Sequence, residues 1–258
     1  MRDWAPVEIR DADEVPVVAV ADQKIKRSED QKIEEEDQEA HEDDLPIFSA
    51  QGGSASGGQS SDLAASPEIP TQMNLAVPFT SQAPEKNWDQ PWQDACEEAA
   101  VLMLDAYYKG YGLSPLFARD EILKMVSWEE EQGWGLSIEI EKMKELAQEV
   151  TKLQSYKVIE NPTVEQIKQS VAAGHPVIVM AYGKALPNPY FRNGGPEYHA
   201  LVIRGYTETE FITNDPGTWR GENFRYTFDD LMNAMHDWNN GDVPNGKRVA
   251  LVLVDDGD

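Results

Sequence analysis

The texture of the chain changes near residue 70, and that break confines any hydrophobic core to the residues beyond it. Lys24 to Asp44 is a run of charges with almost no large apolar side chains. Gly52 to Ser61 is rich in Gly and Ser, and Ser66-Pro67-Glu68-Ile69-Pro70 is drawn out by its prolines. Such segments bury too little apolar surface to offset the entropy lost on ordering. Residues 1–70 are therefore expected to be a disordered acidic and Gly/Ser-rich tail, a solvated spacer. Residues 71–258 are expected to form one folded domain.

Charge and cysteine count remove several classes of function. A formal net charge of −25, about half of it in the tail, opposes non-specific nucleic-acid binding and docking on an anionic membrane. One cysteine, Cys96, excludes an intrachain disulfide and any Cys-rich metal centre. His41, His175, His199 and His236 show no paired ligand spacing, so neither a metal nor a cofactor is expected. No apolar run approaches the ~18–20 residues of a membrane helix, and no basic start precedes an apolar core as in a signal peptide. A soluble monomer is expected, with its compartment left open.

Past Met73 the apolar pattern becomes readable. Leu75 to Phe79 reads as an entry strand, and Asp94 to Gly110 as a helix stopped by Gly110 and Gly112. Ser137 to Val150 reads as a second helix. Thr163 to Ala173 reads as a third, opened by a capping box from Thr163 to Gln166. Val177 to Tyr182 is apolar enough for a central strand. His199 to Tyr206 and Glu210 to Asn214 read as a hairpin, Thr227 to Trp238 as a helix, and Lys247 to Val254 as a closing strand. Helices precede an antiparallel sheet, which predicts an α+β fold.

The chemistry concentrates on three residues. Asp94 as N-cap, with Glu97 three positions on, would put Cys96 in the first turn of its helix. Amides and dipole there favour a thiolate, whereas Glu97 and Glu98 oppose it. His199 is the candidate base and acid, and Asp215 the carboxylate that would orient it. Both fall on one predicted hairpin. A two-residue turn between Thr207 and Glu210 would send them to opposite faces, whereas a three-residue loop or a bulge would align them. Trp88 and Trp92 flank the cysteine and could line a cleft; Trp128, Trp134 and Trp219 also fall in or near predicted loops.

Several segments together resemble the C39-like cysteine peptidase family, relatives of the bacteriocin-processing double-glycine peptidases in the papain clan. They are Val77-Pro78-Phe79-Thr80-Ser81-Gln82, Ala95-Cys96 with Ala99 and Leu102-Met103, Gly174 to Val179, Tyr198 to Tyr206, and Asn214 to Thr218. The resemblance covers nearly all of the folded part. It implies a papain-like fold, a Cys96, His199 and Asp215 triad, and a Gln amide in the oxyanion hole. Gln82 sits in the family's Ser-Gln motif and is taken as that residue, with Glu85 to Pro91 as an inserted loop. Gln90 has the six-residue spacing of papain-like enzymes, and Gln93 lies closer to Cys96. Glu97-Glu98 replaces the small residues common in the family, and no transporter follows the domain, so export-linked leader removal is not implied. The implied activity is hydrolysis of a peptide or protein amide through a thioacyl enzyme. An acyltransferase or amidase with the same triad, or an inactive peptide-binding module, are the alternatives. Family members are often extracytoplasmic.

Overall fold

The computed structural model describes residues 69–254. The expected tail therefore lies, but for its last two residues, outside the described residues. Five helices pack on one antiparallel sheet: α1 (Cys96–Lys109), α2 (Pro115–Glu131), α3 (Ile140–Thr151), α4 (Val164–Ala172) and α5 (Phe228–Ala234). The strands are β1 (Met73–Asn74), β2 (Tyr156–Glu160), β3 (Val177–Ala181), β4 (His199–Tyr206), β5 (Glu210–Asn214), β6 (Phe224–Thr227) and β7 (Val249–Leu253). Their order is β2-β7-β3-β4-β5-β6, with β1 paired to the end of β4. This is the α+β, papain-like architecture expected.

The apolar runs explain the middle of the sheet. Every residue of β3, β4 and β7 is buried, as strands covered on both faces must be. The helix α1 lies against β4, α2 and α3, and Ala99 through Ala106 are buried without interruption. A helix apolar on all sides is an interior helix. Gly110 closes it in the left-handed region at φ 72°, its N–H bonded to Ala106 O at 2.9 Å. The predicted capping box on α4 is present: Thr163 Oγ1 accepts from Gln166 N, and Gln166 Oε1 accepts from Thr163 N.

Other expectations need correction. Asp94 does not cap α1. It ends a short 3-10 turn, Trp92–Asp94, and its carboxylate accepts from Gln90 Nε2 at 2.5 Å, while Ala95 takes the cap position. The helix α2 was not anticipated, although Ser114 Oγ accepts from Phe117 N and Pro115 fills the first turn. Its solvent face carries Leu116, Phe117 and Leu123, which blurs the apolar stripe. The helix α3 starts at Ile140, not Ser137. The helix α5 stops at Ala234 because the chain then turns onto β3, where His236 N donates to Met180 O at 3.0 Å. The strands β2 and β6 were also missed, and the expected entry strand Leu75 to Phe79 is not formed: β1 is Met73–Asn74, and beyond it Leu75 N donates to Arg204 O at 2.8 Å.

One irregularity positions the site. The β4–β5 turn has two central residues, Glu208 and Thr209, with Thr207 N donating to Glu210 O at 2.8 Å. Tyr206 then pairs with Phe211 and Gly205 with Ile212, but Ile203 pairs with Thr213. Arg204 is the extra residue of a bulge. Counting on from Val202 opposite Asn214, the bulge returns His199 and Asp215 to one face. Without it the turn would have separated them. The bulged side chain is buried, and burial pulls its guanidinium down to about 10. It is satisfied by Asn74 Oδ1 (3.0 Å), Leu75 O (2.9 Å) and Asn214 Oδ1 (3.2 Å). The same bonds fasten β1 to the hairpin. Gly205 is required beside them, since a Cβ there would come 2.4 Å from Met73 O. Among the described residues no helix is long and apolar enough to cross a membrane.

Candidate active site

His199 opens β4, and Asp215 follows the last residue of β5. His199 Nε2 lies 2.7 Å from Asp215 Oδ1, with both side chains fully buried. Asp215 also accepts from Tyr226 Oη (2.6 Å), Asn188 Nδ2 (3.1 Å) and Gly217 N (2.9 Å). Burial alone would raise its carboxyl. The His199 imidazole, the Tyr226 hydroxyl and the Gly217 amide outweigh that and hold it below its ordinary range. The other imidazole nitrogen, Nδ1, is buried with no hydrogen-bond partner among the described residues. Phe191 packs edge-on against the ring at 5.4 Å. A Cβ on Gly217 would come 2.9 Å from His199 Cε1 and from Phe191, so this close approach excludes any larger residue.

Cys96 is the first residue of α1, 3% exposed, and its thiol lies against the N–H of Ala200, the residue after His199. The helix start is as expected from sequence; its effect on the thiol is overridden. Glu97 and Glu98 both turn inward and are buried. Cys96 Sγ–H donates to Glu97 Oε2 at 2.8 Å, and Glu97 Oε1 accepts from Ile138 N at 3.3 Å. Burial first, then the charge and hydrogen bond of Glu97, push the thiol well above its ordinary value; the Ala200 N–H opposes them.

Glu97 belongs to a buried carboxylate group that sequence reasoning saw only in part. Burial pushes Glu97 up to about 7 against the pull of the Cys96 thiol and the Ile138 amide. Glu129, on α2, is pushed up to about 8 by burial and the charge of Glu97. Burial and the charges of Glu129 and Glu97 push Glu98 well upward. Glu98 Oε2 and Glu129 Oε1 lack partners among the described residues. Folded values above the unfolded 4.5 mean that the native state binds more protons between the two. This contribution is full below about 4.5 and is lost as pH rises through about 7 and 8. Unfolding free energy should therefore fall from pH 5 to pH 8 by up to about 1.4 kcal/mol per pH unit for each such proton. Urea titrations at pH 5 and pH 8 on wild type and Glu129→Gln check this. The substitution should flatten the slope and raise stability at pH 8; an unchanged slope would contradict the account.

Of the three glutamines, only Gln82 is buried. Its Nε2 donates to Trp92 O (2.9 Å) and Gln93 O (3.0 Å), the carbonyls of the turn leading into Cys96, and its Oε1 has no partner among the described residues. Gln93 is exposed, and so is Gln90, whose amide is held by Asp94. Trp88 lies under Arg192 at 5.8 Å, while Trp92 packs against the core. Trp128 and Trp134 pair edge-to-face at 5.1 Å, where α2 ends and the following turn begins. Asn188, Tyr226, Glu129 and Phe191 were not singled out from sequence. Their roles depend on chain crossings that no local pattern announces.

Helices on an antiparallel sheet, a thiol at a helix start and an imidazole on a central strand define a papain-like fold. Residues 74–241 match the Peptidase_C39 like family, and the chain belongs to it. No curated protein matches significantly. The fold is also similar to a crystal structure of a candidate C39-like peptidase from Bacillus anthracis, with 16% identity over 71% of this chain and 96% of that one and a TM-score of 0.46.

Proposed function

We propose that residues 71–258 form a cysteine peptidase-like hydrolase, with Cys96 as nucleophile, His199 as general acid and base, and Asp215 as its orienting carboxylate. The observation that carries this is the buried His199–Asp215 pair at 2.7 Å, whose second ring nitrogen has no partner among the described residues, while the backbone N–H of the next residue, Ala200, acts on the Cys96 thiol. Asp215 on Nε2 leaves Nδ1 to exchange a proton with sulfur. The thiolate attacks the scissile carbonyl carbon, and the oxyanion is held by the Cys96 N–H and the Gln82 amide. The latter would exchange one of its loop carbonyls for the substrate, as catalytic hydrogen bonds often form only in the complex. His199 protonates the leaving amine, and water then cleaves the thioester with His199 as base.

A second reading is a peptide-binding module of the same fold. The hydrogen bond from the Cys96 thiol to Glu97 favours it, because that bond keeps sulfur protonated. Iodoacetamide alkylation from pH 4 to 10 separates the two. If His199 supports a thiolate, wild type should react at least about tenfold faster than His199→Ala below the ordinary thiol value of ~8.5. Equal rates would remove the hydrolase and leave the module.

A further inference from the structure

Three loops adjoin the residues of the candidate site. Residues 83–95 lead into Cys96, 182–198 lead into His199, and 215–223 follow Asp215. The first and third are joined by Gln82 N and Ser81 Oγ, which both donate to Pro216 O. The second touches the imidazole through Phe191 and Asp215 through Asn188. Each loop carries an exposed cation that lies over an aromatic ring of another loop; the second loop's other cation, Lys184, is paired with Glu197. Lys86 Nζ is 5.3 Å from the Trp219 ring centre, the Arg192 guanidinium is 5.8 Å from Trp88, and the Arg220 guanidinium is 4.7 Å from Tyr190. The three pairs join the three loops in a circuit.

The carboxylates of these loops are mostly taken, whereas the three ring-stacked cations are not. Glu85 pairs with Arg119, Glu197 with Lys184 and Glu222 with Arg204, while Asp94 accepts from Gln90. Asp89 remains, exposed on the first loop. None of Lys86, Arg192 and Arg220 has a carboxylate within ion-pair distance among the described residues. In a chain with 47 acidic and 22 basic residues, three such cations on adjoining loops run against the general balance. The aromatic faces hold each cation in place, so less side-chain freedom is lost when an anion arrives.

We infer that these three loops select acidic peptides, with Lys86, Arg192 and Arg220 receiving Asp or Glu side chains on either side of the scissile amide. The inference rests on the hydrolytic reading for its scissile bond, but not for its binding. A long polyanion is a poorer candidate, since the chain's net charge repels it outside these three groups.

The test uses two pools of octapeptides, one rich in Asp and Glu and one with Asn and Gln in their place. Binding to Cys96→Ala protein is read by tryptophan fluorescence, and cleavage by wild type by mass spectrometry. The acidic pool should bind about tenfold more tightly, the combined effect of three exposed ion pairs. That preference should disappear in K86Q/R192Q/R220Q and fall partially in each single variant, with melting curves reporting the fold. Equal binding of the pools, or a preference that survives the triple substitution, would overturn the inference. Cleavage without acidic preference would overturn it too and leave the hydrolase standing. Acidic preference in binding with neither pool cleaved would support it and remove the hydrolase instead.

Discussion

Asp215→Ala should lower the unfolding free energy by about 3–5 kcal/mol, because several buried donors lose their common acceptor at about 1–3 kcal/mol each. Four donors converge on this carboxylate from β4, β6 and two loops: His199 Nε2, Tyr226 Oη, Asn188 Nδ2 and Gly217 N. Removing it strands all of them in a dry interior, where unsatisfied groups are expensive. Asp215→Asn keeps the volume and loses less stability. Its amide presents a donor to donors, so the ring loses its orientation. Under the hydrolase reading, turnover then falls by roughly 10⁴, as when the third member of such a triad is neutralised. Urea unfolding of both variants, beside kcat on a peptide that wild type cleaves, separates the effects. An alanine variant within about 1 kcal/mol of wild type would show that the carboxylate is not what joins these elements.

Glu97→Gln should speed alkylation of Cys96 by about tenfold at pH 8, one unit of thiol pKa at constant geometry. The sign comes from the hydrogen bond. Above about 7 the Glu97 carboxylate is charged, accepts the S–H and opposes a thiolate beside it. Below that value it holds its own proton and the repulsion is gone. The substitution should therefore matter little at pH 5 and much at pH 8. A rate ratio of variant to wild type that does not change between these two pH values would mean that Glu97 does not govern the thiol. Glu129→Gln should act in the opposite direction and more weakly, because without the Glu129 charge Glu97 ionises at lower pH and opposes the thiolate more.

Much of the fold, and the residue types of the candidate site, are legible in the residues alone, and the limits have physical causes. The ends of β4 and β5 match those read from the apolar pattern, because strands buried on both faces leave long apolar runs between turn residues. The strands β2 and β6 were missed because Tyr156-Lys157-Val158-Ile159-Glu160 and Phe224-Arg225-Tyr226-Thr227 sit at the sheet edges, where burial is partial. The helix α2 carried a start signal in Ser114-Pro115 but exposes several large apolar residues, so its stripe was indistinct. Cys96, His199 and Asp215 could be picked out by residue type and order. That Glu97 and Glu98 point inward depends on how α1 sits against α2 and β4, which periodicity does not give. Asn188 and Tyr226 reach Asp215 from 27 and 11 positions away and left no local trace.

The bulge at Arg204 has a consequence for where this chain tolerates changes of length. The arms of the β4–β5 hairpin count residues: an odd number lost or gained within either arm rotates everything beyond it by half a turn. Deleting Arg204 would thus turn the imidazole away from Asp215 while leaving both residues in the sequence. The tip keeps no such count. Residues added between Glu208 and Thr209 loop out into solvent, and the pairing below them is unaltered. A peptide epitope or reporter can be inserted there, whereas a one-residue change a few positions down either arm would disconnect the dyad.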